Sequence, residues 1–263
     1  MDGFTYRMGS IQGSMHRLKG TNNQDSFCVG ESTTNGTQYL YGVVCDGCTG
    51  RRRSRNEVGA VLLANFICSE IPFILASHTA LRDVPLILYN RMIGYLGSIM
   101  RSTVMGSPET MWSFIETHLL TTAVGFILDS SILIIFRAGD GTILLNDSRE
   151  IINQENRPLY PAYHLVDRAI LGDFASKLPN NFHVTVHDVS NIQRFAVCTD
   201  GISQEIERNG EFSEHTHFLW DYEPTAKAGL QWWLNKESQE NGHFSDDCTI
   251  IAVKKNVEGG GSI

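Results

Sequence analysis

Four aspartates, Asp25, Asp46, Asp200 and Asp246, stand at the starts or ends of apolar runs. Two of them close near-identical strings, Tyr41-Gly42-Val43-Val44-Cys45-Asp46-Gly47 and Phe195-Ala196-Val197-Cys198-Thr199-Asp200-Gly201. An apolar run that ends in Asp-Gly carries a carboxylate out of a buried strand onto a tight loop, where several such groups can converge on hard cations. Converging carboxylates repel unless a metal neutralises them. Asp-Gly is also ordinary hairpin-turn chemistry, so one instance decides little; four aspartates in order, with matching flanks, favour a site. Carboxylate-rich, thiolate-free donor sets suit Mg²⁺ or Mn²⁺. Two such ions can share a bridging carboxylate, orient a phosphate and lower the pKa of a trapped water, with no side-chain nucleophile required. Consistently, the chain has no nucleophile elbow, no phosphate-cradling glycine loop with Lys and no HExxH pair.

The elements that would position these groups are strands and two long helices. Phe4 to Ile11, Ser26 to Glu31 and Gln38 to Cys45 read as strands, and Ser54-Arg55-Asn56-Glu57 has the pattern of a capping box before the apolar run that starts at Val58. A second helix is expected from about Pro85 toward Met105, ended by Gly106. Thr121 to Leu128 and Ile132 to Ala138 form the clearest hairpin, joined by Asp129-Ser130-Ser131, after which Gly139-Asp140-Gly141 turns the chain into Thr142 to Leu145. Asn146 to Ser190 is polar and irregular, with a strand-like piece at His183 to His187. A later helix around Thr225 to Lys236 carries Trp232 and Trp233, both expected as core anchors. Strands with short turns, interrupted by helix groups, predict antiparallel sheets with helices packed on their outer faces. A single domain over residues 1–255 is the simplest organisation, and 256–263, with its Glu258-Gly259-Gly260-Gly261-Ser262, has the composition of a flexible tail or linker.

Composition narrows the function classes. With 263 residues, 42% hydrophobic and 19% charged, the chain is long enough to bury a sizeable core and too apolar to be disordered. Its net charge of -8 disfavours nucleic acid, which needs a basic patch to displace counterions. The one basic cluster, Arg51-Arg52-Arg53 with Arg55, is either a solvated loop or a local attraction for an anionic substrate beside the carboxylates. Six cysteines without secreted-framework spacing, and no signal-peptide pattern, lead to the expectation of reduced thiols in the cytoplasm. Cys45-x-x-Cys48 lacks the second ligand pair a structural zinc would need. Val58 to Ala76 contains Glu70 and Pro72 and reads as a buried helix, not a membrane span.

The ordered set Asn23-Gln24-Asp25, Val44-Cys45-Asp46-Gly47-Cys48-Thr49-Gly50, Thr121-Thr122-Ala123-Val124, Ala138-Gly139-Asp140-Gly141, Cys198-Thr199-Asp200-Gly201 and Ser245-Asp246-Asp247-Cys248-Thr249 resembles the metal-dependent type 2C serine/threonine protein phosphatases. The resemblance spans about His16 to Val253, and Ser14-x-His16-Arg17 with Gln24-Asp25 looks like a bacterial branch of that family. It implies an α+β fold, a four-layer αββα sandwich of two antiparallel sheets flanked by helix pairs, with a binuclear Mn²⁺ or Mg²⁺ centre that hydrolyses phosphoserine or phosphothreonine. By position, Asp46 resembles the carboxylate bridging both ions and the Gly47 carbonyl a ligand of one; Asp200 and Asp246 resemble ligands of the first ion, Asp25 of the second, and Asp140 of a weaker third. Asp247 occupies a slot often filled by Asn, which implies hydrogen bonding. The chain departs from the pattern at Cys48, where many members have His, at Gly20, where others have a phosphate-binding Arg, and at Gln204, where a further Asp is common. Arg17 or Lys19 could substitute in binding phosphate, and His16 in proton transfer or orientation. The implied partners are a phosphorylated protein substrate and a kinase or kinase target, with no nucleic acid and no membrane. Two other readings use the same residues: a pseudophosphatase that binds phosphoproteins as a regulatory module, and a two-metal phosphoesterase of small phosphates.

Overall fold

Alternating apolar residues build two five-stranded antiparallel sheets. The protein is seen here as a computed structural model, which describes residues 3–48, 54–154, 158–203, 217–220, 229–240 and 242–256. In spatial order, one sheet runs β1 (Phe4–Ile11), β10 (Cys248–Lys255), β9 (Arg194–Cys198), β6 (Gly141–Leu145), β7 (Ser148–Ile152). The other runs β2 (Asp25–Thr34), β3 (Thr37–Asp46), β4 (Ala123–Leu128), β5 (Ile132–Ala138), β8 (His183–Asp188).

The period of two sorts each strand between two cores. Ile251 and Val253 of β10 join Phe195 and Val197 of β9 and Val44, Val124 and Phe126 of the second sheet in the core between the sheets. Phe126 and Phe195 meet edge to face there, ring centroids 4.9 Å apart. Residues one step along, Ile250, Ala252, Ala196 and Cys198, face outward onto α6 (His217–Trp220) and α7 (Gly229–Glu240) through Trp220, Leu230 and Leu234. On the other side, Val43, Cys45 and Phe136 face outward onto α2 (Glu57–Ala76), α3 (Val84–Thr103) and α4 (Pro108–His118). The result is the α+β sandwich of four layers, αββα.

Several local expectations change. Gly139-Asp140-Gly141 does not fold β6 back beside β5; it carries the chain from one sheet to the other. Ser54 to Glu57 is no capping box: the Ser54 hydroxyl donates to the Cys48 carbonyl, and α2 starts without a side-chain cap. Trp232 is no core anchor either. It is 55% exposed with the Lys236 ammonium over its ring, while Trp233 packs against Phe244. By length and composition α2 could cross a membrane, but half of its most apolar stretch is buried against the second sheet. Arg51 to Arg53, Gln204 and the Gly-rich tail lie outside the described residues.

Antiparallel order puts one end of both sheets to use. The starts of β2, β6 and β10 and the ends of β1, β3, β5 and β9 meet there, because Ile11 pairs with Cys248, Asp25 with Asp46, Ala123 with Ala138 and Thr142 with Cys198. Asp25, Asp46, Asp140, Asp200, Asp246 and Asp247 are all at this end.

Candidate metal centre

Asp25 opens β2 directly opposite Asp46, which closes β3. The Thr122 N–H donates to the Asp46 carbonyl at 2.8 Å and the Asp46 N–H to the Thr122 hydroxyl at 3.3 Å, so β4 fixes where the Asp46 side chain leaves the sheet. Gly47 is required next. A Cβ there would lie 2.7 Å from the Asn56 carbonyl group and 2.8 Å from the Gln24 carbonyl oxygen. Asn56, fully buried, ties this loop down: its amide donates to the carbonyls of Cys48 at 2.8 Å and Glu116 at 3.3 Å and its Oδ1 accepts from the Leu120 N–H at 3.0 Å.

Asp140 sits in the sheet-to-sheet turn, where Gly139 has a left-handed φ of +87° and a Cβ on Gly141 would meet the Cys198 carbonyl at 2.8 Å. Asp200 follows β9 and leads into a helical turn whose Gly201 is even more confined, since a Cβ there would lie 1.9 Å from the Asp247 carbonyl oxygen. Asp246 and Asp247 precede β10, pressed against Gly13, where a Cβ would fall 2.3 Å from the Asp246 carbonyl carbon. Glycines at 13, 47, 141 and 201 thus allow backbones to approach closely enough for the carboxylates to gather.

Their mutual repulsion is felt in their acidities. Burial raises the Asp46 carboxyl well above its ordinary value, and the charges of Asp200, Asp25, Asp140 and Asp246 add to it. Asp200 is raised by burial and then by Asp140, Asp246 and Asp247. Asp25 is raised by burial and then by Asp247 and Asp200, despite accepting the Thr199 hydroxyl on Oδ2 at 2.7 Å. Its Oδ1 is buried with no hydrogen-bond partner among the described residues. Burial raises Asp140 as well. A set of hard oxygen donors that push one another toward protonation, one of them buried and unsatisfied, fits a divalent cation such as Mn²⁺ or Mg²⁺.

His16 reaches the cluster from α1 (Ser14–Lys19), which follows β1 at this end. Its Nδ1 is 2.8 Å from Asp247 Oδ2 and its Nε2 is 3.6 Å from Asp246 Oδ1, all three side chains offering ligand atoms within 4.8 Å of one another. The hydrogen bond to Asp247 raises the imidazole pKa against the opposing effect of burial. Asp247 itself is occupied: it also accepts the Gly13 N–H at 2.7 Å and the Gln24 N–H at 2.6 Å. It therefore joins α1, β2 and β10 as a positioning group.

The structure does not bring Arg17 to the carboxylates. Its guanidinium donates to the Gln12 carbonyl at 2.8 Å and the Ser238 hydroxyl of α7 at 2.9 Å, clamping α1 to the helical layer. Lys19 is the cation whose charge reaches His16. Gly20 cannot be read as a lost arginine alone: with φ +64° it is the left-handed C-cap of α1. Three contributors have no role that the sequence reveals. Asn56 and Thr199 are buried hydrogen-bonding hubs, and Tyr160, from the irregular segment after β7, is buried, with its phenol pKa raised by burial and then by the charges of Cys48, Asp46 and Asp140. Asn56 has no sequence signal beyond its place in Ser54-Arg55-Asn56-Glu57.

Comparison with known proteins is specific about family and fold. The family model described as Protein phosphatase 2C matches residues 12–237. No curated protein matches the chain by sequence. Among solved structures, a bacterial serine phosphatase superposes with a TM-score of 0.59 at 13% identity, covering 97% of this chain and 99% of its own. The serine/threonine phosphatase Stp1 from Staphylococcus aureus gives 0.58 at 14% identity, with 97% and 96% covered. The catalytic domain of the serine/threonine protein phosphatase PstP, in complex with two manganese ions, gives 0.55 at 15% identity, with 96% and 98% covered. At these identities the likeness is one of fold.

Proposed function

The chain belongs to the protein phosphatase 2C family of serine/threonine protein phosphatases, and from that membership we propose that it hydrolyses phosphoserine and phosphothreonine in proteins with the aid of Mn²⁺ or Mg²⁺ held by the strand-end carboxylates. The observation that carries this reading is the gathering of Asp25, Asp46, Asp140, Asp200 and Asp246 at one end of the two sheets, where burial and then one another's charges raise Asp25, Asp46 and Asp200. In this reading Asp46, whose acidity responds to the charges of the other four, would hold the ions together with Asp200, Asp246 and Asp25. The Gly47 carbonyl would join the set, and Asp140 would hold a further, weaker ion. When bound, the ions would neutralise phosphate charge and lower the pKa of a water for in-line attack.

The chain's own residues then do the positioning. Asp247 holds His16 through Nδ1, leaving Nε2 turned toward Asp246, so that the ring orients that carboxylate and carries a proton at the edge of the cluster. Thr199 holds Asp25 by one oxygen and leaves the other to the site. Asn56 keeps the Asp46-Gly47-Cys48 loop from relaxing away from the cluster. Cys48, engaged with Tyr160 under the segment after β7, is a packing residue of the rim.

Substrates are accordingly phosphorylated proteins, including kinases or their targets in a bacterial signalling system, and the net charge of -8 argues against nucleic acid. Six free cysteines support a reducing, cytoplasmic setting. Hydrolysis of phosphothreonine peptides and of an aryl phosphate, with Mn²⁺ or with chelator, tests the reading. Turnover should require metal and vanish in Asp46→Asn; equal turnover with chelator or in the variant contradicts it, and tight Mn²⁺ binding without turnover would make the protein a regulatory binder.

A further inference from the structure

Four of the six cysteines are accounted for singly or in packing, but Cys28 and Cys68 form a pair. Cys28 lies on β2, three residues after Asp25, and faces α2; Cys68 lies mid-way along α2 and faces the sheet. Cys28 packs against the core cluster that contains Cys68, so the two thiols share this helix–sheet interface, and each shifts the other's acidity. Both are free. Their exposures differ in a useful way: Cys28 is partly exposed, whereas Cys68 is only 7% exposed. The neighbouring Cys68 lowers the Cys28 pKa, and the neighbouring Cys28, followed by burial, raises that of Cys68. Cys28 is thus the accessible thiol with thiolate character and Cys68 its enclosed neighbour, the arrangement of an attacking and a resolving cysteine. Cys45 shares the outward face of the sheet but is fully buried and pairs in register with Ser26, and Cys48 is engaged with Tyr160.

We propose that Cys28 and Cys68 are an oxidative modification site that takes a peroxide and closes to a disulfide tying β2 to α2. In the first step the Cys28 sulfur attacks one peroxide oxygen: an S–O bond forms, the O–O bond breaks, and the departing hydroxide takes up a proton as water. In the second, the Cys68 sulfur attacks the Cys28 sulfenic sulfur: the S–S bond forms, the S–O bond breaks, and a second water leaves. The sum is two thiols and one hydrogen peroxide giving one disulfide and two waters, and a dithiol reductant reverses it. The cross-link would join the strand that carries Asp25 to the helix that follows Asn56, two elements flanking the carboxylate end. The site does not depend on the phosphatase reading and is tested without an activity assay.

The full chain, metal-free and reduced, is exposed to a small molar excess of hydrogen peroxide, alkylated, digested and mapped by mass. The expected result is a Cys28–Cys68 cross-linked peptide, two alkylatable thiols lost per chain, both restored by dithiothreitol. Cys68→Ala should instead accumulate a Cys28 sulfenic acid trapped by dimedone, and Cys28→Ser should leave Cys68 alkylatable after denaturation. Oxidation that appears first at Cys48, a Cys28–Cys45 linkage, or Cys28 passing to sulfinic acid in the unaltered chain without a cross-link would each overturn the proposal. Because the decisive cross-link is read in the unaltered chain, a variant that folds poorly cannot mask the outcome.

Discussion

Each carboxylate of the cluster has its own support, and the supports predict graded effects. Asp46 has the most neighbours of like charge, so Asp46→Asn should do two opposite things. It should lower kcat by more than the roughly 100-fold that loss of a supporting residue costs, and it should raise the melting temperature of the metal-free protein by removing one repelling charge. His16 and Asp247 act one step back from the ions. Asp247→Asn keeps a hydrogen-bonding shape but loses the charge that holds the imidazole, and kcat should fall about 10- to 100-fold, checked by steady-state kinetics at saturating Mn²⁺. Arg17→Ala should behave differently from both. Its hydrogen bonds to Gln12 and Ser238 predict a stability loss of about 1 kcal/mol in denaturant unfolding with kcat nearly unchanged.

At the scale of elements, the close backbone approaches and buried hubs decide whether the aspartates meet at all. Gly201→Ala puts a methyl 1.9 Å from a backbone oxygen with no flexible side chain to yield, and should destabilise by about 3 kcal/mol or more. Asn56→Ala strands two carbonyls and one N–H and should cost a comparable amount, about 3 kcal/mol. Thermal unfolding of purified variants checks both. The same elements explain what could be read from the chain. Strand-end aspartates were legible because an apolar run followed by Asp-Gly encodes strand, exit and turn in adjacent letters, and β3, β5 and β9 end as that pattern implies. The six-residue α1 has too few turns for a periodicity, and its Gly13 N-cap makes no side-chain bond. Helix α4 carries a start signal in Ser107-Pro108-Glu109. The contacts of Arg17 are hidden for another reason: its partner Ser238 is 221 positions away, and nothing local reveals a contact of that range.

For the whole molecule, one end of the sandwich concentrates negative charge that folding alone does not offset. The carboxyls of Asp200 and Asp25 are raised to about 7 and about 8, above the value of about 4 expected in the unfolded chain. The folded protein therefore binds more protons than the unfolded one within that window, and metal-free stability must fall as pH rises from about 4 through these values. His16, also raised, contributes in the same direction, its stabilisation being lost as pH rises through its folded value. Mn²⁺ should cancel this trend, so the melting-temperature gain on adding metal should be larger at pH 8 than at pH 5. Differential scanning fluorimetry with and without chelator reads both slopes.

Calorimetric titration of Mn²⁺ into the metal-free chain at neutral pH, repeated in buffers of different ionisation enthalpy and with Asp46→Asn, bears most directly on the carboxylate cluster as a divalent-metal centre. Saturable binding of a pair of ions, accompanied by proton release and lost or reduced to one weak site in the variant, is the predicted result. Binding that does not saturate, releases no protons, or is the same in Asp46→Asn would contradict it.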